Sequence, residues 1–109
     1  MDEKVALITG ASSGFGLLTS VELAKAGFRV LASMRNFRRR ERLDQVAGAA
    51  GVSDRIDVRE LDVTQFDAIP KFVYAALRDY GRIDVLVNNA GFAVGGFAED
   101  IQLQELRLQ

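Results

Sequence analysis

The sequence has no cysteine and no histidine, and its 109 residues include a single proline, Pro70. Without cysteine, disulfides and thiol chemistry are excluded, a composition that fits a cytoplasmic protein. The simultaneous lack of histidine removes the usual transition-metal ligands, so no metal site is expected. No charge of one sign dominates either. Fourteen lysines and arginines face fifteen aspartates and glutamates, a net charge of −1. That balance exerts no global pull towards nucleic acid or an anionic membrane, and neither is expected as a partner. No apolar run is long enough to span a bilayer, and residues 1–4 do not begin a signal peptide. What remains, 49% hydrophobic and 27% charged residues, is the balance of one globular domain or part of one.

The most informative stretch is residues 7–16, LITGASSGFG. Val5, Ala6, Leu7 and Ile8 form a short apolar run, the pattern of a strand covered on both faces. Gly10 then lets the chain turn sharply off the strand end. Gly14 has no side chain, so a ligand can approach the backbone where a helix begins, and Gly16 lets that helix pack closely. The free N–H groups of such a turn, here Ser12 to Phe15, and the positive end of the helix dipole favour a phosphate. Thr9, Ser12 and Ser13 add hydroxyl donors. The spacing TGxxxGxG from Thr9 to Gly16, together with Asn88-Asn89-Ala90-Gly91 downstream, resembles the short-chain dehydrogenase/reductase family. The resemblance covers nearly all of the chain but only the N-terminal part of a family member. It implies a partial dinucleotide-binding domain over residues 1–109, an α/β, Rossmann-like doubly wound parallel sheet that stops after the fourth strand and the start of the next helix.

Taken in order, the pattern predicts a first helix over residues 14–26. Leu17, Val21, Ala24 and Phe28 share one side, Ser20, Glu22 and Lys25 face water, and Gly27 stops it. Residues 29–34, RVLASM, read as a second buried strand. In the NAD-binding form of such folds an acid near the end of this strand bonds the adenosine ribose. The resemblance puts Met34 at that place, followed by Arg35. A carboxylate there would repel a 2′-phosphate, whereas a guanidinium can grip one. NADP(H) is therefore the expected cofactor, with NAD possible, although Ser13 stands where many NADP-preferring relatives carry a basic residue. Arg38, Arg39, Arg40 and Arg42 read as a solvated face. Asn36 is expected to cap a second helix to about residue 50, with Leu43, Val46, Ala47 and Ala50 at helical spacing.

A third strand is predicted over about residues 56–61. Asp62 and Val63 at its end resemble the family pair that contacts adenine, the alternative being that Asp62 caps the next helix. Ile69, Phe72, Val73, Ala76, Leu77 and Tyr80 form the clearest helical stripe, beginning near Asp67 because Pro70 fits only a first turn, and ending at Gly81. Tyr74 and Tyr80 read as packing residues. A fourth strand over residues 83–88 leads into the Asn88 to Gly91 motif, which in the family fixes the central strands and lines the ribose side of the cofactor through Asn89, Ala90 and Gly91. A glycine-containing loop over 92–97 and the start of a helix over 99–109 follow. The predicted strand order is 3-2-1-4, helices covering both faces. The outer side of strand 4 and its apolar flank should be covered by further chain or by self-association, so a homo-oligomer is expected.

The resemblance implies hydride transfer between a nicotinamide and a small carbonyl or alcohol substrate by the whole protein. A serine and a Tyr-x-x-x-Lys pair would carry the chemistry. Tyr74 and Tyr80 have Arg78 and Asp84 four residues on, so no catalytic residue is assigned within residues 1–109, and this stretch alone is expected to be inactive. A non-catalytic nucleotide-binding or scaffold module of the same fold is the alternative.

Overall fold

In a computed structural model, residues 3–89 are described. The apolar run at the start becomes strand β1, Val5–Ile8, and feeds helix α1, Gly14–Lys25. Strand β2, Arg29–Met34, is followed by a short 3-10 turn, Phe37–Arg40, and helix α2, Glu41–Ala49. A second 3-10 turn, Ser53–Arg55, leads to strand β3, Ile56–Glu60, then helix α3, Ala68–Tyr80, and strand β4, Val85–Val87. The strands form one sheet in the order β3-β2-β1-β4, and all pairs are parallel, with Val5 opposite Arg29, Leu7 opposite Leu86 and Met34 opposite Glu60. Fold and strand order are those expected from the sequence.

Alternation along the strands explains why both faces are covered. Successive side chains of a strand point to opposite sides. Ala6, Ile8, Val30, Ala32 and Met34 therefore share one core with Leu17, Val21 and Ala24 of α1 and Leu43 and Ala47 of α2. Val5, Leu7 and Leu31 share the other with Ile69, Phe72 and Ala76 of α3, and with Leu61 and Ile83. Pro70 is the third residue of α3, where its missing N–H leaves no helical bond unmade.

Four details depart from the sequence expectation. Ser20 does not face water. It is 0% exposed, and its hydroxyl donates to the Gly16 carbonyl at 2.7 Å, so a small polar side chain enters the core by satisfying itself one turn back. Tyr74 is not a packing residue but stands 74% exposed, whereas Tyr80 does pack against the α3-side core. Asn36 does not cap α2. Its side-chain oxygen accepts from the Arg38 N–H at 3.0 Å and opens the 3-10 turn, and Arg39, at φ −88° and ψ 17°, interrupts helical geometry before α2 begins. Ala50, at the end of α2, is exposed rather than packed.

Candidate functional site

At the carboxyl end of the central strands the turn after β1 is held from both sides. Ala11 N–H donates to the Ser33 carbonyl at 3.0 Å, and Ser33 Oγ donates back to Ile8 O at 2.8 Å, tying the turn to β2. On the β4 side, Thr9 N–H donates to Val87 O at 3.0 Å and Thr9 Oγ1 donates to Asn88 Oδ1 at 3.2 Å. The same hydroxyl accepts from Asn89 N–H at 2.9 Å, while Asn89 Nδ2 donates to Gly10 O at 3.2 Å. Thr9, which the sequence suggested as an extra hydroxyl donor, is thus engaged in joining β1 to β4.

Two glycines of the turn adopt left-handed backbone, Gly10 at φ 66° and Gly14 at φ 59°. A side chain would strain both. Nothing lies within 4 Å of the place a Gly14 Cβ would occupy, so the backbone there is open to an incoming group. Gly16 is needed for another reason: its Cβ would collide with the Gly10 carbonyl oxygen and stand 2.7 Å from Asn89 Nδ2. Its lack of a side chain brings α1 down onto the turn. The first turn of α1 contains no acid, and Ser13, in extended conformation at the N-cap, makes no side-chain cap bond. The helix therefore presents its positive end and its first N–H groups without a competing carboxylate. Ser12 is half-buried, Ser13 exposed, and the Phe15 side chain is 75% exposed, leaving its backbone as the part that can serve the turn.

Further along the same edge, Met34 is 1% exposed and belongs to the α1/α2 core. Its place in the strand is thus apolar floor. Arg35, next in sequence, points outward with its side chain 80% exposed, its Nε 3.6 Å from Asp62 Oδ2. Asp62 caps no helix, since α3 starts at Ala68 after Asp67 as N-cap. It closes a local turn in which Oδ1 accepts from Thr64 Oγ1 at 2.6 Å and from Thr64 N–H at 3.0 Å. Those bonds, more than the neighbouring Arg35, hold its carboxyl below the ordinary value. Val63 packs half-buried against the α3-side core.

Two hollows flank Arg35. One, of about 490 Å³, is bounded by Glu60, Leu61, Asp62, Gln65 and Lys71 among others; the second, of about 640 Å³, by Ser12, Asn36, Arg39 and Glu60. The structure brings Ser12, Arg35 and Asp62 to this one edge with the glycine turn. Ala90 and Gly91, the loop over 92–97 and the helix over 99–109 lie outside the described residues. Arg39, read from the sequence as part of a solvated face, and Glu60, which the sequence left unremarked, both line the second hollow. Glu60 becomes visible only through the register that sets it opposite Met34. Among the described residues no group of three or more aspartates and glutamates could hold a metal ion, and no helix is long and apolar enough to cross a membrane.

A parallel sheet wound on both faces, with a glycine turn leading from a central strand into a helix, defines the dinucleotide-binding class of α/β proteins. Within that class the chain belongs to the short chain dehydrogenase family, whose model matches residues 4–108. It is 48% identical over 109 residues to the uncharacterized oxidoreductase YusZ of Bacillus subtilis, covering 100% of this chain and 38% of that protein. Among solved structures it resembles an actinorhodin polyketide ketoreductase variant with NADPH, at 39% identity and TM-score 0.72, over 84% of this chain and 36% of that one. A metagenomic short-chain oxidoreductase in complex with NADP matches at 35% identity and TM-score 0.74, over 84% of this chain and 41% of the other. The chain thus spans less than half the length of each of these proteins.

Proposed function

We propose that residues 1–109 form the adenosine- and pyrophosphate-holding part of an oxidoreductase that uses NADP(H) in preference to NAD(H). The observation that carries this reading is the Gly10–Gly16 turn. It has open backbone at Gly14, close helix approach at Gly16 and no acid in the first turn of α1. Such a turn suits a pyrophosphate, whose charge the helix end stabilises and whose oxygens accept from backbone N–H groups. Ser12, Ser13, Gly14, Phe15 and Gly16 would surround it. Asp62 and Val63 would meet the adenine, and Asn89, Ala90 and Gly91 the ribose side. Arg35 is assigned to the 2′-phosphate because it is exposed at the end of β2 beside an apolar Met34, with one long ion pair to Asp62 to exchange for a bidentate phosphate contact. The bound relatives support a phosphorylated cofactor.

When bound, the nicotinamide would supply hydride for a carbonyl substrate or accept it from an alcohol. Residues 1–109 would position the cofactor and contribute no proton-transfer group, since neither tyrosine has a lysine four residues on. In the whole protein, Arg35→Ala should weaken NADPH binding by about 1.5–3 kcal/mol, the range for hydrogen bonds to charged groups. NADH should be affected much less. Fluorescence titration with both nucleotides measures this. Equal affinity for the two in the parent, unchanged in Arg35→Ala, would overturn the assignment.

A further inference from the structure

The hollow of about 640 Å³ at the carboxyl ends of β2 and β3 is lined by two arginines and one glutamate, Arg35, Arg39 and Glu60. Arg39 reaches it because of the 3-10 turn. Asn36 accepts from Arg38 N–H through its side chain and from Arg39 N–H, at 2.9 Å, through its carbonyl, so the chain folds back and sets Arg39 beside Arg35. Its neighbour Arg40 is otherwise engaged, pairing with Asp44 at 2.8 Å and lying 4.6 Å from the centre of the Phe37 ring. Arg39 makes no ion pair among the described residues. Glu60 shares a face of β3 with Ile56 and Val58, stands opposite Met34, and accepts from Phe37 N–H at 3.3 Å. The acid that β2 lacks is thus present in the same hollow, delivered by the next strand.

We propose that this hollow reads the 2′ position of the adenosine ribose, with Arg39 as a second guanidinium for a 2′-phosphomonoester and Glu60 as the opposing carboxylate that tempers the preference. The inference rests on the dinucleotide reading above and adds two specificity residues to it. The charges fit. A phosphomonoester carries about −1.5 to −2 at neutral pH, which the two guanidiniums together can balance, while Glu60 withdraws part of that positive charge and so tempers the attraction. For an unphosphorylated ribose, Glu60 can accept a hydroxyl hydrogen bond instead. Two guanidiniums without the acid would reject the unphosphorylated form more sharply.

The test is calorimetric titration of the full-length protein at low salt with adenosine 2′,5′-bisphosphate and with 5′-AMP, which differ only at the position in question. Arg39→Ala should weaken the bisphosphate about tenfold and leave 5′-AMP unchanged within about twofold. Glu60→Gln, which keeps an acceptor for the Phe37 N–H and so preserves the turn, should strengthen the bisphosphate several-fold and not 5′-AMP. An unchanged urea-denaturation midpoint shows that each variant is folded. A bisphosphate affinity unmoved by Arg39→Ala, or an equal loss for both ligands, overturns the role of Arg39. No gain in Glu60→Gln overturns that of Glu60. A parent that binds 5′-AMP and the bisphosphate equally removes the 2′ site and leaves the dinucleotide reading standing. A parent that binds neither removes both.

Discussion

At the amino end of the sheet the charged side chains answer one another. Glu3 lies 3.3 Å from Arg29 and 3.5 Å from Arg55, and Arg82 pairs with Asp84, which also accepts from Val5 N–H at 2.7 Å. On the α3 side, Arg59 bridges Asp57 at 2.9 Å and Asp79 at 2.8 Å, while Tyr80 donates to Asp57 at 2.6 Å. At the carboxyl end Arg35 has Asp62 only at 3.6 Å, and Arg39 has no ion pair among the described residues. Both ends carry arginine, but one end neutralises it internally and the other presents it. A site for an anion requires that contrast, since a guanidinium already bound bidentately must first be released. Exposed ion pairs add little to stability. The closed network at the amino end therefore matters less for its energy than for keeping these arginines engaged within the chain.

The contrast can be broken most severely at the carboxyl end. Met34→Asp, the exchange that a cofactor-switching design would choose, places a carboxylate in the core rather than on the rim. We expect a loss of about 3–5 kcal/mol, the scale of an uncompensated buried charge. Met34→Leu should cost less than about 1.5 kcal/mol. Urea denaturation of both variants decides the matter, and a Met34→Asp protein as stable as its parent would mean that this side chain can turn outward. A step smaller is Gly16→Ala. Its methyl group meets a backbone oxygen that cannot swing aside, so about 2–3 kcal/mol should be lost and α1 displaced from the turn. Nucleotide affinity and the denaturation midpoint should fall together. An unchanged midpoint would show that the turn is looser than its hydrogen bonds imply.

The amino end should respond mildly. Tyr80→Phe removes one of the two side chains bonded to Asp57 and should cost about 1 kcal/mol. The pH dependence is sharper than its size. Burial raises the Asp57 carboxyl, but the hydrogen bonds from Arg59 and Tyr80 outweigh it and hold the group below the ordinary 3.8. The hydrogen bond from Arg82 does the same for Asp84. A carboxyl depressed in the folded state contributes stability that is fully present above its unfolded value and lost as pH falls through its folded value. Stability from these groups should therefore be level from neutral pH down to about 4.5 and decline below 3.8. Tyr80 is raised, first by burial and then by Asp57, so its contribution is present below pH 10.0 and lost above it. Denaturation midpoints measured at acid, neutral and alkaline pH, with Tyr80→Phe as control, would show both arms. An alkaline arm that persists in Tyr80→Phe would contradict the assignment.

Much of the fold was legible because burial and periodicity agreed. The apolar runs of β1 and β2, the stripe of α3 and the stops at Gly27 and Gly81 each leave a signal within a few residues. Ser20 was misread because polarity alone says nothing of a hydroxyl that bonds the preceding turn. The 3-10 turn after β2 was missed because an asparagine followed by arginines is equally good as a helix cap. The glycine turn could be singled out from spacing and Arg35 from the place the family resemblance gives it, whereas Arg39 and Glu60 could not. They come together through strand register and a local fold-back, neither of which a linear pattern records.

The clasp between Thr9, Asn88 and Asn89 also bears on the order in which this chain can assemble. β1 meets β2 by pairing residue 5 with residue 29, but Thr9 and Asn88 are 79 positions apart. Closing the longer loop costs about 1 kcal/mol more in chain entropy, from the logarithmic dependence on length. The carbonyl of Gly10 receives its hydrogen bond from Asn89 only after that closure. The β1-turn-α1 segment can therefore gather early, while its final shape waits for β4, so the part of the molecule most local in sequence is completed by its most distant contact.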